Sequence, residues 1–530
     1  MSRLVGGVLA VIASMLGSGC FMIGPDYQPP PAPLAPAWTV ADEREIGRGA
    51  EPVSAWWETL GDPILDELVE RAYRNNPSLE AAGVRVLEAQ ARRGIAIGGL
   101  FPQTQQAAGR YERNVISANR ANAVPGTDRT FGDLALGFDA AWELDVWGKF
   151  RRGIESADAE LLASVANYDD VLVSLLAEVA ANYVGLRTLE QQTRVSQENA
   201  DIQRRNYVIA RDRAREGAAS DLDMAQAETI LRDTESRIPD FQGRITQTEA
   251  ILTALVGEPP GTIHGVLLGR MAEIPSPQAQ VVVGMPADLL RRRPDVRRSE
   301  RLLAAQSAQI GVAKADLLPS LALVGTITFD AEDAAKLFRG DSFEGFGGPQ
   351  FRWAILNYGR ISNNVRVQDA GYQALVGDYE NTVLRAQAEV EGAAARYVGA
   401  IRRAELLEES VAAAQKAVDI VNLQYREGAT DFTTVLVAQN ALLDAQSRLV
   451  TSQGEVAATL IAVYKALGGG WEVREGASFV SADTAAAMRA RTRWGSLLSE
   501  TGQERQRRQA QTGTERDRGW VRWRAWWPLW

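Results

Sequence analysis

The residue types that most enzymes use for catalysis or metal binding are almost absent from this chain. It contains one histidine, His264, and one cysteine, Cys20. A zinc site of the cysteine and histidine type needs three or four such ligands, and a Ser–His–Asp triad would depend on His264 alone. A chain with one cysteine cannot form an internal disulfide. Because no nucleophile–base pair, phosphate-binding loop or metal cluster stands out, we predict that the protein is not an enzyme and needs no metal or cofactor.

Composition and charge narrow the class of protein further. The 530 residues are 46% hydrophobic and 23% charged, which is typical of a folded protein. The formal net charge is −10 and the sequence pI is about 5.1, which argues against a nucleic-acid-binding surface. At about 150 residues per domain, three or four domains would be expected unless internal repeats override that estimate.

The N-terminus has the pattern of a secretory signal. Arg3 precedes an apolar run from Leu4 to Leu16, and three small residues follow directly before Cys20. The run is too short to span a bilayer, so 1–19 is predicted to be a cleaved signal peptide. The segment resembles a bacterial lipobox, which implies a covalent lipid on Cys20. Ordinary signal cleavage beside an incidental cysteine is the alternative.

Several sequence landmarks occur twice in the same order. Their spacing is nearly constant at 211 to 217 residues, which indicates a tandem duplication. The landmarks are Pro77 and Pro102 against Pro294 and Pro319, Trp142 and Gly148 against Trp353 and Gly359, Arg215 to Ala218 against Arg426 to Ala429, and Ala254 to Gly257 against Ala466 to Gly469. We place the first repeat at 63–257, a linker at 258–285 and the second repeat at 286–469.

Both repeats are predicted to contain the same elements. A helix, at about 63–98 or 287–316, stops near Pro102 or Pro319, because the helical conformation is disfavoured before a proline. Two strands, a very long helix, a short Gly-containing break and a further helix follow. The fold class is therefore α+β, mostly α, with a tandem structural duplication.

The predicted strands alternate between apolar and polar residues. From Leu134 to Val146 every even position is apolar, whereas the odd positions include Asp133, Asp139, Glu143 and Asp145. Such alternation places the two sets on opposite faces of a sheet. The pattern recurs at 320–330 and, more briefly, at 351–355, while 103–115 alternates poorly. An ordinary half-buried sheet would show the same pattern, but four short strands in an exported, mostly helical chain favour an outer-membrane barrel.

A barrel would require several copies of the chain. Four strands cannot close a membrane barrel, and open strand edges are not tolerated in lipid. After the signal peptide, the sequence contains no run of the roughly 18 consecutive apolar residues that a membrane helix needs. Any segments that span the membrane are therefore expected to be strands. The acidic positions Asp139, Glu143 and Asp145 are then expected to line the wet lumen.

The long helices carry a coiled-coil seam. In the second repeat apolar residues step by three and four from Val383 to Tyr425, and the first repeat has the same rhythm from Leu161 to Leu186. A helix over 361–427 would be about 100 Å long. A solid coiled-coil rod and a hollow helical tube predict the same seam.

Two motifs resemble those of a known family. Trp142 to Lys149 reads Trp-Glu-Leu-Asp-Val-Trp-Gly-Lys, and Gly24 to Tyr27 reads Gly-Pro-Asp-Tyr. Both are similar to motifs of TolC-like outer-membrane efflux proteins, in particular the nodulation-T-type lipoproteins. The duplicated order of elements resembles that family over roughly residues 20–470. The resemblance implies a homotrimer with a 12-stranded β-barrel in the outer membrane, continued by a periplasmic α-helical barrel. It also implies that 20–62 holds a lipid anchor, a proline-rich strap and an equatorial segment.

The same resemblance implies partners and an entrance. The far end of the helical barrel would dock on a periplasmic adaptor (membrane fusion) protein that is served by an inner-membrane RND transporter. The breaks at 215–223 and 426–434 match the family's periplasmic tips, and Tyr425 and Asp223 match a tyrosine–carboxylate link that holds the entrance shut. The predicted aperture residues are Gly217, Ser220, Asp221, Asp223, Tyr425, Gly428 and Asp431. Solvated turn and helix-cap residues would be the simpler interpretation of these polar side chains.

The C-terminal extension is placed at 470–530, and residues 478–530 depart from the family pattern. They are expected to form a disordered extension, rich in arginine and tryptophan, that either binds anionic lipid or has no function. For the whole chain we predict a passive exit duct for small molecules in the outer membrane. A conduit for type I protein secretion and a non-conducting coiled-coil lipoprotein spacer are the alternatives.

Overall fold

The computed structural model describes residues 22–39, 46–47, 54–121, 126–216, 220–267, 273–276, 281–282 and 292–498. The predictions for Cys20, for Gly217 and for residues 499–530 fall outside the described residues. In these residues helices dominate, and six strands accompany them. The strands are β1 Ile46–Gly47, β2 Thr104–Val115, β3 Thr130–Leu144, β4 Val281–Val282, β5 Ser320–Ala331 and β6 Phe343–Arg352. The helices are α1 Pro63–Asn75, α2 Pro77–Gly98, α3 Lys149–Arg215, α4 Asp221–Val256, α5 His264–Leu267, α6 Pro294–Ala315, α7 Arg360–Arg426, α8 Phe432–Ala466 and α9 Ala482–Arg491.

The duplication is visible in the lengths of the elements. The long helices α3 and α7 both contain 67 residues, and the helices that follow them, α4 and α8, contain 36 and 35. Their first residues, Lys149 and Arg360, keep the 211-residue spacing of the sequence landmarks. The two repeats therefore fold in the same way.

The first predicted helix, 63–98, is wrong in one respect, because two helices occupy this range. Asn76 has an extended backbone between α1 and α2, as expected for a residue that precedes a proline. Its side-chain oxygen accepts hydrogen bonds from the backbone N–H groups of Ser78 (2.9 Å) and Leu79 (3.0 Å). Asn76 thus caps α2, and Pro77 takes its first position, where a missing N–H costs nothing.

The chain divides into two compact units. The first unit comprises residues up to Pro31 together with Glu88–Ser164 and Arg298–Tyr379. It contains an antiparallel sheet in the order β2-β3-β5-β6. Strands β2 and β3 of the first repeat pair with each other, as do β5 and β6 of the second repeat. The pairing of β3 with β5 joins the two repeats.

The second unit comprises Ala32–Leu87, Val165–Arg297 and residues from Glu380 onward. Its core is built on the coiled-coil seam. On α3 the side chains of Leu172, Val179 and Leu186 are 0% exposed. On α7 those of Val383 and Val390 are no more than 1% exposed. Further along α7, from Ala404 to Ala414, the seam residues are only half-buried in the protomer. The described chain thus packs the first part of the seam internally, leaves the stretch from Ala404 to Ala414 half-buried, and buries the seam again at Val418, which is 7% exposed.

The C-terminal extension is folded between 471 and 498, contrary to the prediction of disorder. Ser481 caps α9, and its backbone N–H and hydroxyl both donate to the Glu80 carboxylate. The buried apolar residues of this segment pack on Leu87 of α2; they are Val480, Ala485, Met488 and Leu498. Residues 471–498 are therefore an integral part of the second unit.

Among the residues that the structure describes, one helix has the length and composition expected of a membrane span, whereas the sequence predicts none. It is α3, Lys149–Arg215, and 61% of the apolar window is buried inside the protein. Core helices of soluble proteins meet the same test, so this match is weak support for a helical span.

Candidate channel wall and aperture

Strands β3, β5 and β6 give the four-stranded sheet a mainly apolar and a mainly polar face, whereas β2 adds Gln105 and Arg113 to the first and β6 adds Phe346 to the second. Directly paired residues of antiparallel strands point to the same side, so the register assigns every strand position to a face. The apolar face contains Leu134, Leu136, Phe138, Trp142 and Leu144 of β3, Leu321, Leu323, Ile327 and Phe329 of β5, and Phe343, Pro349 and Phe351 of β6. The polar face contains Gln106, Arg110 and Glu112 of β2, Asp133, Asp139 and Glu143 of β3, Thr326, Thr328 and Asp330 of β5, and Glu344, Gln350 and Arg352 of β6.

The apolar face is not covered by any other part of the protomer that the structure describes. Phe138 is 46% exposed, Ile327 51% and Phe351 69%. A contiguous exposed apolar surface of this kind is rare on a soluble monomer and marks a contact with lipid or protein. Strands of 10 to 15 residues are also long enough to cross a bilayer when tilted.

Asp139 lies on the polar face, as predicted. Its carboxylate accepts hydrogen bonds from the Thr326 hydroxyl (2.7 Å) and from the Gln106 amide (3.3 Å) on the two neighbouring strands. Glu143 is on the same face, with its carboxylate 4.0 Å from the Lys149 ammonium, which also contacts Asp316 at 2.8 Å. Both positions agree with a water-facing wall.

Asp145 does not line this wall, and the prediction for it is wrong. β3 ends at Leu144, and the Asp145 side chain is 7% exposed. Its carboxylate accepts from the backbone N–H groups of Phe150 and Arg151 (both 3.0 Å) and from the Arg151 guanidinium (2.9 Å). Asp145 therefore accepts hydrogen bonds from backbone N–H groups of the first turn of α3, which have no partner within the helix and favour a carboxylate.

Tryptophans anchor the end of the sheet in both repeats. Trp142 Nε1 donates to the Leu100 carbonyl (3.1 Å), and Trp353 Nε1, 211 residues later, donates to the Leu317 carbonyl (3.0 Å). Each bond ties a strand end to the turn after α2 or α6. A tryptophan with an apolar body and a satisfied N–H is typical of the interfacial girdle of a membrane barrel.

Two sheet edges have no partner among the described strands. The order β2-β3-β5-β6 leaves one side of β2 and one side of β6 unpaired in the described part of the chain. Unpaired backbone groups in hydrocarbon cost several kcal/mol each. If the apolar face contacts lipid, further copies must supply the missing strands.

The break between α7 and α8 is a glycine-terminated helix end. Gly428 has φ +76, and the N–H groups of Gly428 and Ala429 donate to the carbonyls of Tyr425 (3.1 Å) and Gln424 (2.8 Å). These two bonds form a Schellman motif, which requires a left-handed residue and so favours glycine. Asp431 then caps α8, and hydrogen bonds from the Thr434 hydroxyl and N–H lower the pKa of its carboxyl.

The corresponding break in the first repeat is capped by Ser220. The Ser220 hydroxyl accepts from the Asp223 N–H (3.1 Å), and the Asp223 carboxylate accepts from the Ser220 N–H (3.2 Å). This reciprocal capping box uses Asp223, while Asp221 occupies the first turn of α4. The predicted polar residues of this tip therefore serve as helix caps.

The predicted link between Tyr425 and Asp223 is not formed. The Tyr425 hydroxyl accepts a hydrogen bond from Arg213 Nη1 at 2.9 Å, and the guanidinium carbon lies 5.3 Å from the centre of the tyrosine ring. The ring also packs against Phe432, with centroids 5.4 Å apart. Arg213, at the last turn of α3, is the residue that the sequence analysis missed. The sequence could have pointed to Arg213, because it lies only four residues before Gly217, the glycine of the predicted tip.

The sheet and the duplicated helices can now be compared with known proteins. The family model of outer membrane efflux proteins matches residues 68–258 and 285–469. The chain belongs to this family. Its sheet accordingly lies in the outer membrane and its helical tunnel in the periplasm, and the protein serves as an exit duct of efflux.

Relatives and solved structures agree over most of the chain. Nodulation protein T of Rhizobium leguminosarum biovar viciae is 31% identical over 488 residues, which cover 91% of this chain and 97% of the relative. The pyoverdine export outer membrane protein OpmQ of Pseudomonas aeruginosa is 30% identical, covering 86% and 96%. The outer-membrane channel OprN superposes with a TM-score of 0.79 at 30% identity, over 85% of this chain and all of that one.

Within such a duct, Tyr425 is placed to hold two helix pairs together at the tip. We predict that Tyr425→Phe weakens this contact by about 1 kcal/mol, because it removes the acceptor for Arg213 and leaves the ring in place. The open state should gain roughly fivefold in single-channel recordings. Tyr207→Phe makes the same change in the same apolar cluster and should leave the open fraction unchanged. An unaltered Tyr425→Phe channel would remove the assignment.

Proposed function

We propose that three copies of this chain form one passive duct for small molecules across the outer membrane. The supporting observation is the sheet, which has an exposed apolar face, a polar face and two unpaired edges among its described strands. Three sheets of four strands would close a barrel of 12 strands, apolar outside and polar within. Such a barrel removes both edges.

The polar face gives the duct a water-filled interior. Six carboxylates and two guanidinium groups lie on it, at Glu112, Asp133, Asp139, Glu143, Asp330 and Glu344 and at Arg110 and Arg352. A lumen of this kind stays wet and carries solutes without binding them tightly. No chemical step is required of the chain.

We further propose that the helical tips dock on a periplasmic adaptor protein, and that an inner-membrane RND transporter supplies the solute. The names of the relatives support small molecules as cargo: one is a pyoverdine export protein, and others from Pseudomonas putida are toluene and solvent efflux pump proteins. This choice of cargo and of partners rests on the relatives.

The duct is tested by conductance. Purified protein reconstituted in planar bilayers should give discrete current steps, and the same sample should migrate as a trimer that dissociates on heating. A coiled-coil spacer would give trimers that leave the bilayer sealed. A monomeric protein that leaves the bilayer sealed would contradict the duct altogether.

We also propose a covalent lipid on Cys20, supported by how the next residues are held. The Ile23 N–H donates to the Trp147 carbonyl (3.0 Å), and a Cβ on Gly148 would come within 2.7 Å of Met22. The buried Arg152 guanidinium donates to the carbonyls of Ile23 (3.2 Å) and Gly24 (3.3 Å). The chain leaving Met22 toward Cys20 therefore starts beside the tryptophan-bearing end of the sheet.

The lipid prediction is tested with Cys20→Ser. Labelled palmitate should be incorporated into the wild-type chain and not into the variant, because the thiol is the only side chain that a lipobox modifies. Intact mass after membrane extraction would confirm the difference. Equal labelling of both chains, or of neither, would contradict the proposal.

A further inference from the structure

A groove with an apolar floor lies within the second unit. It is bounded by α3, α7, α8 and residues 273–276, and it encloses about 490 Å³, which is within the size range of binding pockets. The floor consists of Ile274, Pro275, Ile401, Ala404 and Val456, all of which are buried or half-buried. We call this cavity the acidic groove, because of the side chains at its rim.

The charged side chains that line the acidic groove are all carboxylates. Glu273, Glu405 and Glu408 are exposed at its rim, and none of them forms an ion pair with another residue that the structure describes. The basic residue Arg403 on the same stretch of α7 is already paired with Glu455 at 2.8 Å. A cleft lined by charges of one sign attracts the opposite charge, so the groove favours a cationic occupant.

A shielded hydrogen-bond acceptor in the same groove has no donor. Gln191 of α3 lines the groove, and its side-chain oxygen is buried without accepting a hydrogen bond from any described residue. Buried polar atoms are nearly always paired, so an occupant that brings an N–H group would complete this site. Guanidinium and indole groups both donate through N–H, and both have flat faces that pack on apolar side chains.

Two other cavities in the described chain have a different character. One, of about 230 Å³, is lined by Lys149 and Arg352 as well as by carboxylates. The other, of about 240 Å³, is lined by Arg293 and Lys465 as well as by carboxylates. The combination of an apolar floor with negative charge alone distinguishes the acidic groove from both.

The last eleven residues of the sequence have the complementary composition. Residues 520–530 contain five tryptophans, two arginines and no acidic side chain. The tryptophans are Trp520, Trp523, Trp526, Trp527 and Trp530, and the arginines are Arg522 and Arg524. Tryptophan combines a large apolar surface with one N–H donor, and arginine pairs with carboxylates. Both residue types therefore suit the floor, the rim and the free acceptor of the acidic groove.

The same segment is tethered within reach of the groove. The described chain ends at Leu498, and the extension that carries Leu498 is held to α3 by the ion pair of Arg474 with Asp169. Gln191 lies 22 residues beyond Asp169 on that helix, which corresponds to about 33 Å. The 21 residues between Leu498 and Trp520 can span up to about 70 Å. Such a tether makes docking intramolecular and raises the effective concentration of the segment.

We propose that residues 520–530 dock in the acidic groove of this protein. The tryptophan rings would cover the apolar floor, and Arg522 and Arg524 would pair with the carboxylates of the rim. The inference goes beyond the proposed duct, because it assigns a binding surface that conduction does not require. It also gives the C-terminal segment a partner within the protein in place of a lipid surface.

The docking is tested by the reactivity of a thiol placed in the groove. Ser276 is exposed and lines the groove, so Ser276→Cys introduces a thiol there with little change in size. The full-length protein is treated with N-ethylmaleimide in detergent, and mass spectrometry follows labelling of the peptide that contains position 276. Replacing the five tryptophans of 520–530 by serine should speed labelling about fivefold, the factor expected if the segment covers the groove about 80% of the time.

A second variant tests the charges of the rim. Glu273→Gln/Glu405→Gln/Glu408→Gln should also speed labelling, because the arginines lose their partners. Since the carboxylates influence the thiol directly as well, the change is made both with the native C-terminus and with the serine-substituted one. Docking requires that the acceleration be clearly smaller in the serine-substituted protein, as expected for two changes that remove the same contact. Equal accelerations in the two proteins would contradict the charge pairing.

A matched control and a cross-link complete the test. Gln197 is exposed on α3 and does not line the groove, so a thiol from Gln197→Cys should react at the same rate with either C-terminus. A benzophenone attached to the thiol at position 276 should cross-link on irradiation to peptides from 499–530. Equal labelling rates at position 276 with both C-termini would overturn the inference. Cross-links only to residues 277–291 or to another segment of a second copy would overturn it as well.

Discussion

Phe138→Arg is expected to prevent assembly of the protein in the outer membrane. Phe138 lies near the middle of β3, on the apolar face, opposite Ala107 and Ile327 on the neighbouring strands. An arginine on the lipid face of a barrel strand costs about 2–4 kcal/mol at the bilayer midplane. A trimer carries the change three times, so the total would be about 6–12 kcal/mol, similar to the whole stability of a typical domain. Heat-modifiable trimer in outer-membrane fractions should fall more than tenfold.

The matched control introduces the same charge on the other face. Gln106 is exposed on β2 and pairs with Asp139, so Gln106→Arg adds a guanidinium beside a carboxylate in the expected lumen. Its trimer should form at close to the wild-type level. If Phe138→Arg assembled as well as Gln106→Arg, the apolar face would not contact lipid, and the barrel would have to be abandoned.

Regular patterns made the elements predictable from the sequence. The long helix expected at 361–427 is α7, Arg360–Arg426, because its apolar steps of three and four run without interruption. The weakly alternating stretch at 103–115 is nevertheless β2, Thr104–Val115, since all twelve of its residues pair in register with residues of β3. Alternation also continued past the end of a strand, which is why Asp145 was assigned to the wall.

Contacts between distant helices could not be predicted in the same way. Which side chain contacts Tyr425 depends on how α3 and α7 are rotated about their own axes. The spacing of apolar residues in the sequence defines this rotation only to within about one residue position. Asp223 and Arg213 are both polar residues near the tip, and the geometry selects Arg213. The arginine and tryptophan content of the C-terminus likewise led to a prediction of disorder, although a short helix, α9, folds there. Ser481, the N-cap of that helix, could have indicated it.

The folded part of that extension is held by a buried carboxylate. Asp169 of α3 is 0% exposed and accepts hydrogen bonds from Arg474 Nε (2.6 Å) and Nη2 (3.1 Å), and from the Arg297 guanidinium. Burial raises the pKa of the Asp169 carboxyl, while both guanidinium groups oppose that rise. The Arg297 guanidinium also lies 4.4 Å from the ring centre of Trp471. One carboxylate thus joins α3, α6 and the extension.

Asp169→Asn should therefore destabilise the protein far more than a surface change of the same kind. Removing one member of a buried ion pair leaves the remaining charges uncompensated and costs about 3–5 kcal/mol. Thermal unfolding should shift downward, and limited proteolysis should cut between 471 and 498 sooner than in the wild type. Asp201→Asn on the same helix breaks an exposed pair with Arg204, at 61% and 52% side-chain exposure, and should cost less than about 1 kcal/mol. Equal shifts for the two variants would mean that Asp169 does not hold the extension in place.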